Sequence, residues 1–127
     1  MRKEQVKKLT LQELIAKKEQ IQDTKTNKTK DLYISSLDGS VTIQKPDKQL
    51  CLDALEMDQQ GDTYLVYHCV VQPNVKDKKL LQAFGCTEPI EIVEKLFEIG
   101  EISAIAKECI TLAGYGDSVT VVEDIKN

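Results

Sequence analysis

Three rhythms of apolar and polar residues follow one another along the chain. Near the start, Leu11, Leu14 and Ile15, followed by Ile21, make one narrow apolar stripe at helical spacing. Thr10 and Glu13 read as a T-x-x-E capping box, in which hydroxyl and carboxylate each satisfy an unpaired backbone donor of the first turn. Lys17 and Lys18 suit the negative end of that helix. The next stretch, QDTKTNKTK over residues 22–30, holds no large apolar side chain. Nothing in it offsets the entropy of ordering, so it predicts a linker.

From Asp31 the period becomes two. Leu32 and Ile34 alternate with Tyr33 and Ser35, Asp38-Gly39 intervenes, and Val41 and Ile43 alternate with Thr42 and Gln44. This predicts a β-hairpin, because Asp-Gly readily supplies the positive φ values of a tight turn. Pro46 ends the second strand and Asp47 is placed to cap a helix directly after it.

Beyond Lys48 the pattern is helical. Residues 48–58 put Leu52 and Leu55 on a face, with Cys51 and Met57 beside them. Gly61 breaks the pattern, and Asp62 caps a helix over TYLVYHCVV, residues 63–71, apolar nearly all round and therefore central. Pro73 stops it. Asn74 or Asp77 starts a short helix through Leu80, Leu81 and Phe84, which Gly85 ends. Thr87 caps the next, with Pro89 in its first turn and Ile92, Val93, Leu96 and Phe97 inward. Gly100 interrupts it, and Ile102, Ile105, Ala106, Cys109, Ile110 and Ala113 repeat at helical spacing up to Gly114. The closing GDSVTVVEDIKN either forms a short strand at Val119–Val122 or stays loose.

The fold class that results is α+β, predominantly α. An N-terminal amphipathic helix and a β-hairpin precede a bundle of about five short helices. The 127 residues suit one compact domain at 31–116, a basic arm with helix and linker at 1–30, and a tail at 117–127. Charge sharpens this division. Residues 1–30 carry nine Lys or Arg against four acids, and residues 31–127 carry eight against seventeen, so a basic arm joins an acidic body.

Composition and spacing then exclude several kinds of chemistry. Cys51, Cys69, Cys86 and Cys109 form no CxxC pair, which reads as reduced, buried thiols and not a zinc site. The longest apolar run, Leu65–Val71, is too short to span a membrane, and no apolar stretch follows the basic N-terminus as in a signal peptide. The single histidine, His68, lies in the most apolar segment and reads as a core residue. An enzyme built on His68 and Cys69 is disfavoured because helix neighbours point about 100° apart. No catalytic, phosphate-loop or dinucleotide signature occurs, so neither catalytic residues nor a cofactor or metal site is assigned. Nucleic-acid binding by the basic arm, in a regulatory adaptor, is the alternative function. The glutamate-rich segment EPIEIVEKLFEIGE argues against phosphate as a partner. Glu91, Glu94, Glu98 and Glu101 recur three or four apart and read as a solvated helix face, with an acidic docking strip as the other option.

The order of LTLQELIAKKEQ, LYISSLDGSVTIQKP, an all-helical middle and EPIEIVEKLFEIGEISAIAKECITLAGYG resembles the XkdN-like tail assembly chaperones of phages and PBSX-type prophages. The likeness runs from about Leu9 to Gly116. Its most specific pieces are Glu88-Pro89, KLFEIGEI at residues 95–102 and Leu112–Tyr115; the connection MDQQGDTY is tighter than the family pattern. The resemblance implies a non-catalytic protein of the host cytoplasm that binds helical segments of the tape measure protein during tail morphogenesis. It also implies self-association and absence from the mature virion. The surfaces expected to carry partner binding are Leu11, Leu14 and Ile15 on the arm, and Leu96 and Phe97 on the later helix.

Overall fold

The computed structural model describes residues 6–124. Two helices open it, α1 (Leu11–Ala16) and α2 (Lys18–Asn27). A hairpin of β1 (Thr29–Ile34) and β2 (Gly39–Gln44) follows, then α3 (Lys48–Glu56) and α4 (Gly61–Cys69). Next come β3 (Val70–Gln72), α5 (Lys78–Ala83), α6 (Ile92–Leu96) and α7 (Ile99–Leu112). The α+β, mostly helical class read from the sequence is the class observed, with five helices after the hairpin.

The hairpin pairs Leu32 with Val41 and Ile34 with Gly39, so the alternation turns Ile34, Val41 and Ile43 inward. Its turn is a short 3₁₀ segment, Ser35–Leu37, closed by Asp38 in the left-handed conformation. β3 adds a third antiparallel strand beside β2, with Ile43 opposite Val70. This corrects the helix expected over 63–71: α4 ends at Cys69, and Val70 and Val71 are extended. A short apolar run looks the same in either state, and the pairing with β2 decides it.

α4 lies centrally, packed on α3, α6 and α7, while α7 also covers β1 and β2. The core between them includes Ile43, Val66, Cys69, Ile92, Val93, Ile105 and Cys109, all nearly or fully buried. Each fully buried aliphatic contributes about 1.5–3 kcal/mol. Gly61 is not a break but the first residue of α4, and its place in the core is steric. A Cβ there would stand 2.3 Å from the Ala54 carbonyl oxygen, so only glycine lets the start of α4 approach α3 so closely.

Other boundaries shift for local reasons. α2 continues through residues 22–27, where a linker over 22–30 was expected, with Thr24 Oγ1 donating to the Gln20 carbonyl (2.9 Å) and Asn27 Nδ2 donating to Asp23 Oδ1 (2.7 Å). Asp47 and Asp77 cap α3 and α5 as their positions suggest. Glu88, not Thr87, caps the turn at Pro89. The interruption expected at Gly100 falls at Phe97 and Glu98, and Gly100 lies inside α7. Leu52 and Leu55 are exposed, because α3 turns Cys51 and Ala54 inward instead. Val119 lies outside any strand, and a 3₁₀ turn covers Val122–Asp124.

Candidate partner-binding surfaces

The arm is a well-made helix start that covers nothing. The Glu13 N–H donates to Thr10 Oγ1 and the Thr10 N–H donates to Glu13 Oε1, both at 3.2 Å. Lys7 lies 2.6 Å from Glu13 and, with Thr10, holds the carboxyl below its ordinary pKa. The capping box expected from T-x-x-E is therefore formed in full. Yet neither α1 nor α2 contains a buried residue. Leu11 is 80% exposed, Ile15 72% and Leu14 42%, and Leu9 and Ile21 are exposed as well. The three expected arm residues thus share one accessible face.

The arm joins the body at its base, where the Lys45 N–H donates to the Lys28 carbonyl (2.9 Å). Lys25, Lys45 and Lys48 line a cleft of about 430 Å³ there, together with Pro46 and Tyr115.

Leu96 and Phe97 part company. Phe97 is 5% exposed and belongs to the core, so it is not an accessible contact; Leu96 is half-buried against the same core. The residue that α7 presents to solvent is Ile99, 86% exposed in the first turn. Sequence reasoning missed it because helix spacing alone did not place the cap at Glu98; the E-x-x-E box of Glu98 and Glu101 was the available signal.

The row of glutamates is divided between local tasks. The Glu91 carboxylate accepts from the backbone N–H groups of Thr87 and Glu88, both at 3.1 Å. Glu101 accepts from the Glu98 N–H (3.0 Å), the Ser36 hydroxyl (2.7 Å) and the Ser36 N–H (3.1 Å). Those bonds, first the one from the Glu98 backbone, lower its pKa and tie the hairpin turn to α7. Lys30 repeats the tie at the other end, 2.7 Å from Glu108. Two of the four carboxylates are therefore structural, which leaves no continuous acidic strip.

His68 and Cys69 face different surroundings. His68 is half-buried against the Tyr64 and Tyr67 rings, with Lys76 Nζ 3.4 Å from Nδ1. Burial and then the Lys76 charge lower its pKa, which keeps the ring neutral near pH 7. Cys69 is buried beside Cys109, and that neighbour together with burial pushes the Cys109 thiol up. The two neighbours do not form a dyad. Among the described residues, no group of three or more His, Cys, Asp and Glu side chains is arranged to hold a metal ion.

A small cleft of about 190 Å³ with mixed polar and apolar lining opens between α3, α4 and α7. Cys51, Ala54, Leu65 and Ile110 line it together with Leu55, which is 67% exposed. Asp58 and Asp62 also belong to its lining. The apolar spacing of α3 placed Leu55 inside, and the groove therefore escaped the sequence. Among the described residues no helix is long and apolar enough to cross a membrane.

Comparison with known proteins adds one match. The model of a family described as phage XkdN-like tail assembly chaperone protein matches residues 1–126. No curated protein and no solved structure matches the chain.

Proposed function

The chain belongs to the phage XkdN-like tail assembly chaperone family, and on that premise we propose that the partner it holds during tail morphogenesis is the tape measure protein. The observation that carries this reading is the unburied arm. An isolated helix of this length is marginal in water, and α1 and α2 have no buried residue to support them. Leu11, Leu14 and Ile15 are spaced to lie along one side of a second amphipathic helix, the helix-in-groove mode of recognition. A long helical protein offers many such segments, so several chaperone copies hold one partner.

In this division of labour the arm, residues 1–30, is the docking element, residues 31–116 are the scaffold and residues 117–127 a tail. The role is non-catalytic, is performed in the host cytoplasm, and ends before the virion is complete. Leu96 contributes at most a secondary contact, and Phe97 acts only by shaping the core beneath it.

Co-expression with the tape measure protein tests the proposal, with light scattering on whatever co-purifies. A soluble complex with several chaperone copies per partner is the expected outcome. A tape measure protein that stays insoluble, beside a chaperone that elutes alone, overturns it.

A further inference from the structure

Lysines gather where the arm meets the body, and no free acid answers them. Two clefts of about 430 and 300 Å³ open there, and both include Lys25 and Lys45 in their lining, so they form one trough beside α2. Lys48 belongs to the first cleft and Lys17 to the second. We propose that this trough binds a carboxylate-rich helical segment of a partner protein.

The charge of the trough follows from where side chains fall on α2. Lys17, Gln20, Ile21, Thr24 and Lys25 recur three and four apart and share the face that lines it, while Glu19 and Asp23 are outside it. From the body, Lys45 follows β2 and Lys48 opens α3. The single acid of the lining, Asp47, is already engaged, its Oδ1 accepting from the Leu50 N–H (2.8 Å). Among the described residues the ion pairs are Lys7 with Glu13 and Lys30 with Glu108, so none of the four lysines is in one. Lys17 has Glu13 in range one turn back but closes no bridge with it.

Like charges held in one trough repel, although residues 31–127 include seventeen acids that could have been placed beside them. An anionic occupant removes that repulsion. The apolar part of the lining selects the kind of anion. Ile21, Pro46 and Tyr115 lie among the lysines, which suits the carboxylates and aliphatic stems of an amphipathic helix. α2 has ten residues and is about 15 Å long, so the trough takes about three turns of such a helix. A nucleic acid would run past it onto a body with seventeen acids against eight Lys or Arg. The segment belongs to the tape measure protein if the proposed function holds, and a peptide reads the trough whether or not it does.

The probe is a labelled helix-forming peptide of alanine and glutamate, titrated by fluorescence anisotropy into the full chain, beside a twin with glutamine for every glutamate. The glutamate peptide is expected to bind, less tightly as salt rises, and its twin about 10-fold more weakly or worse. Lys25→Glu with Lys48→Glu, both exposed, should lower the affinity for the glutamate peptide about 10-fold or more. The same change of charge outside the trough, Lys78→Glu with Lys107→Glu, should leave it within about 3-fold. No binding of the glutamate peptide, equal binding of its twin, or equal losses from the two double variants overturns the proposal. So does duplex DNA that binds wild type more tightly than the peptide and loses that affinity with Lys25→Glu and Lys48→Glu, which would make the trough a nucleic-acid site. Peptide binding as expected, without a tape measure complex, supports the trough and strikes only the identity of the partner.

Discussion

α1 and α7 are written in the same local grammar and meet opposite fates. Each begins with a capping box, Thr10 with Glu13 and Glu98 with Glu101, and each then places apolar residues three and four apart. α7 buries Ile102, Ile105, Ala106 and Cys109 against α4 and the sheet. α1 leaves Leu11, Leu14 and Ile15 in solvent. Capping and spacing start a helix, but tertiary packing of its apolar face supplies most of its stability. The difference between the two helices is therefore a difference in what lies opposite them, and among the described residues no element of the body buries the face of α1.

Substitutions can sharpen or break this contrast. The largest effect is expected from Ile105→Ala, which should cost about 2–5 kcal/mol in a denaturant titration through lost burial and the cavity left behind. Leu11→Ala and Ile15→Ala should stay within about 0.5 kcal/mol of wild type in the same titration. A large loss from either arm change would mean that the arm packs on the body.

Glycine substitutions give a smaller effect of either sign. Gly61→Ala forces a methyl against the Ala54 carbonyl and should destabilise by about 1–3 kcal/mol. Gly100→Ala, in an open part of the first turn of α7, should instead stabilise by about 0.4–1 kcal/mol. Thermal melts of the two variants would check the opposite signs.

Thr10→Ala removes the cap of the arm, worth about 1 kcal/mol of local helix. Circular dichroism should lose helical signal while the global unfolding midpoint stays put. The smallest effect concerns pH. Glu101 has a lowered pKa in the folded chain, so its contribution is fully present above about pH 4.3, the unfolded value, and is lost as pH falls through the lower folded value. The difference in thermal midpoint between wild type and Glu101→Ala should shrink across that acid window, and a constant difference would contradict the assignment.

The legible parts of the sequence were those where one face repeats over several turns or strand pairs. Ile102, Ile105, Ala106 and Cys109 of the α7 face came through, as did the inward set Ile34, Val41 and Ile43, whereas Leu112 is buried where Ala113 was expected and Ile110 is only half-buried. Asp47 and Asp77 were readable as caps because each precedes an apolar run. What escaped depended on distant partners. β3 exists because Val70 meets Ile43 across the sheet, and no pattern inside Val70–Gln72 announces it. α3 offered Leu52 and Leu55 as the more apolar face, yet the close approach at Gly61 turns the smaller Cys51 and Ala54 inward. For the candidate site the reverse held. Leu11, Leu14 and Ile15 were recognisable by spacing, whereas the groove at Leu55 and the exposure of Ile99 result from how α3 and α7 are seated.

The most direct test of the central claim is amide hydrogen exchange over residues 11–27, measured in dilute chaperone and again in complex with the tape measure protein. Exchange close to that of an unprotected chain when free, with strong protection on binding, is the result predicted. Equal protection of the arm in both states would contradict it.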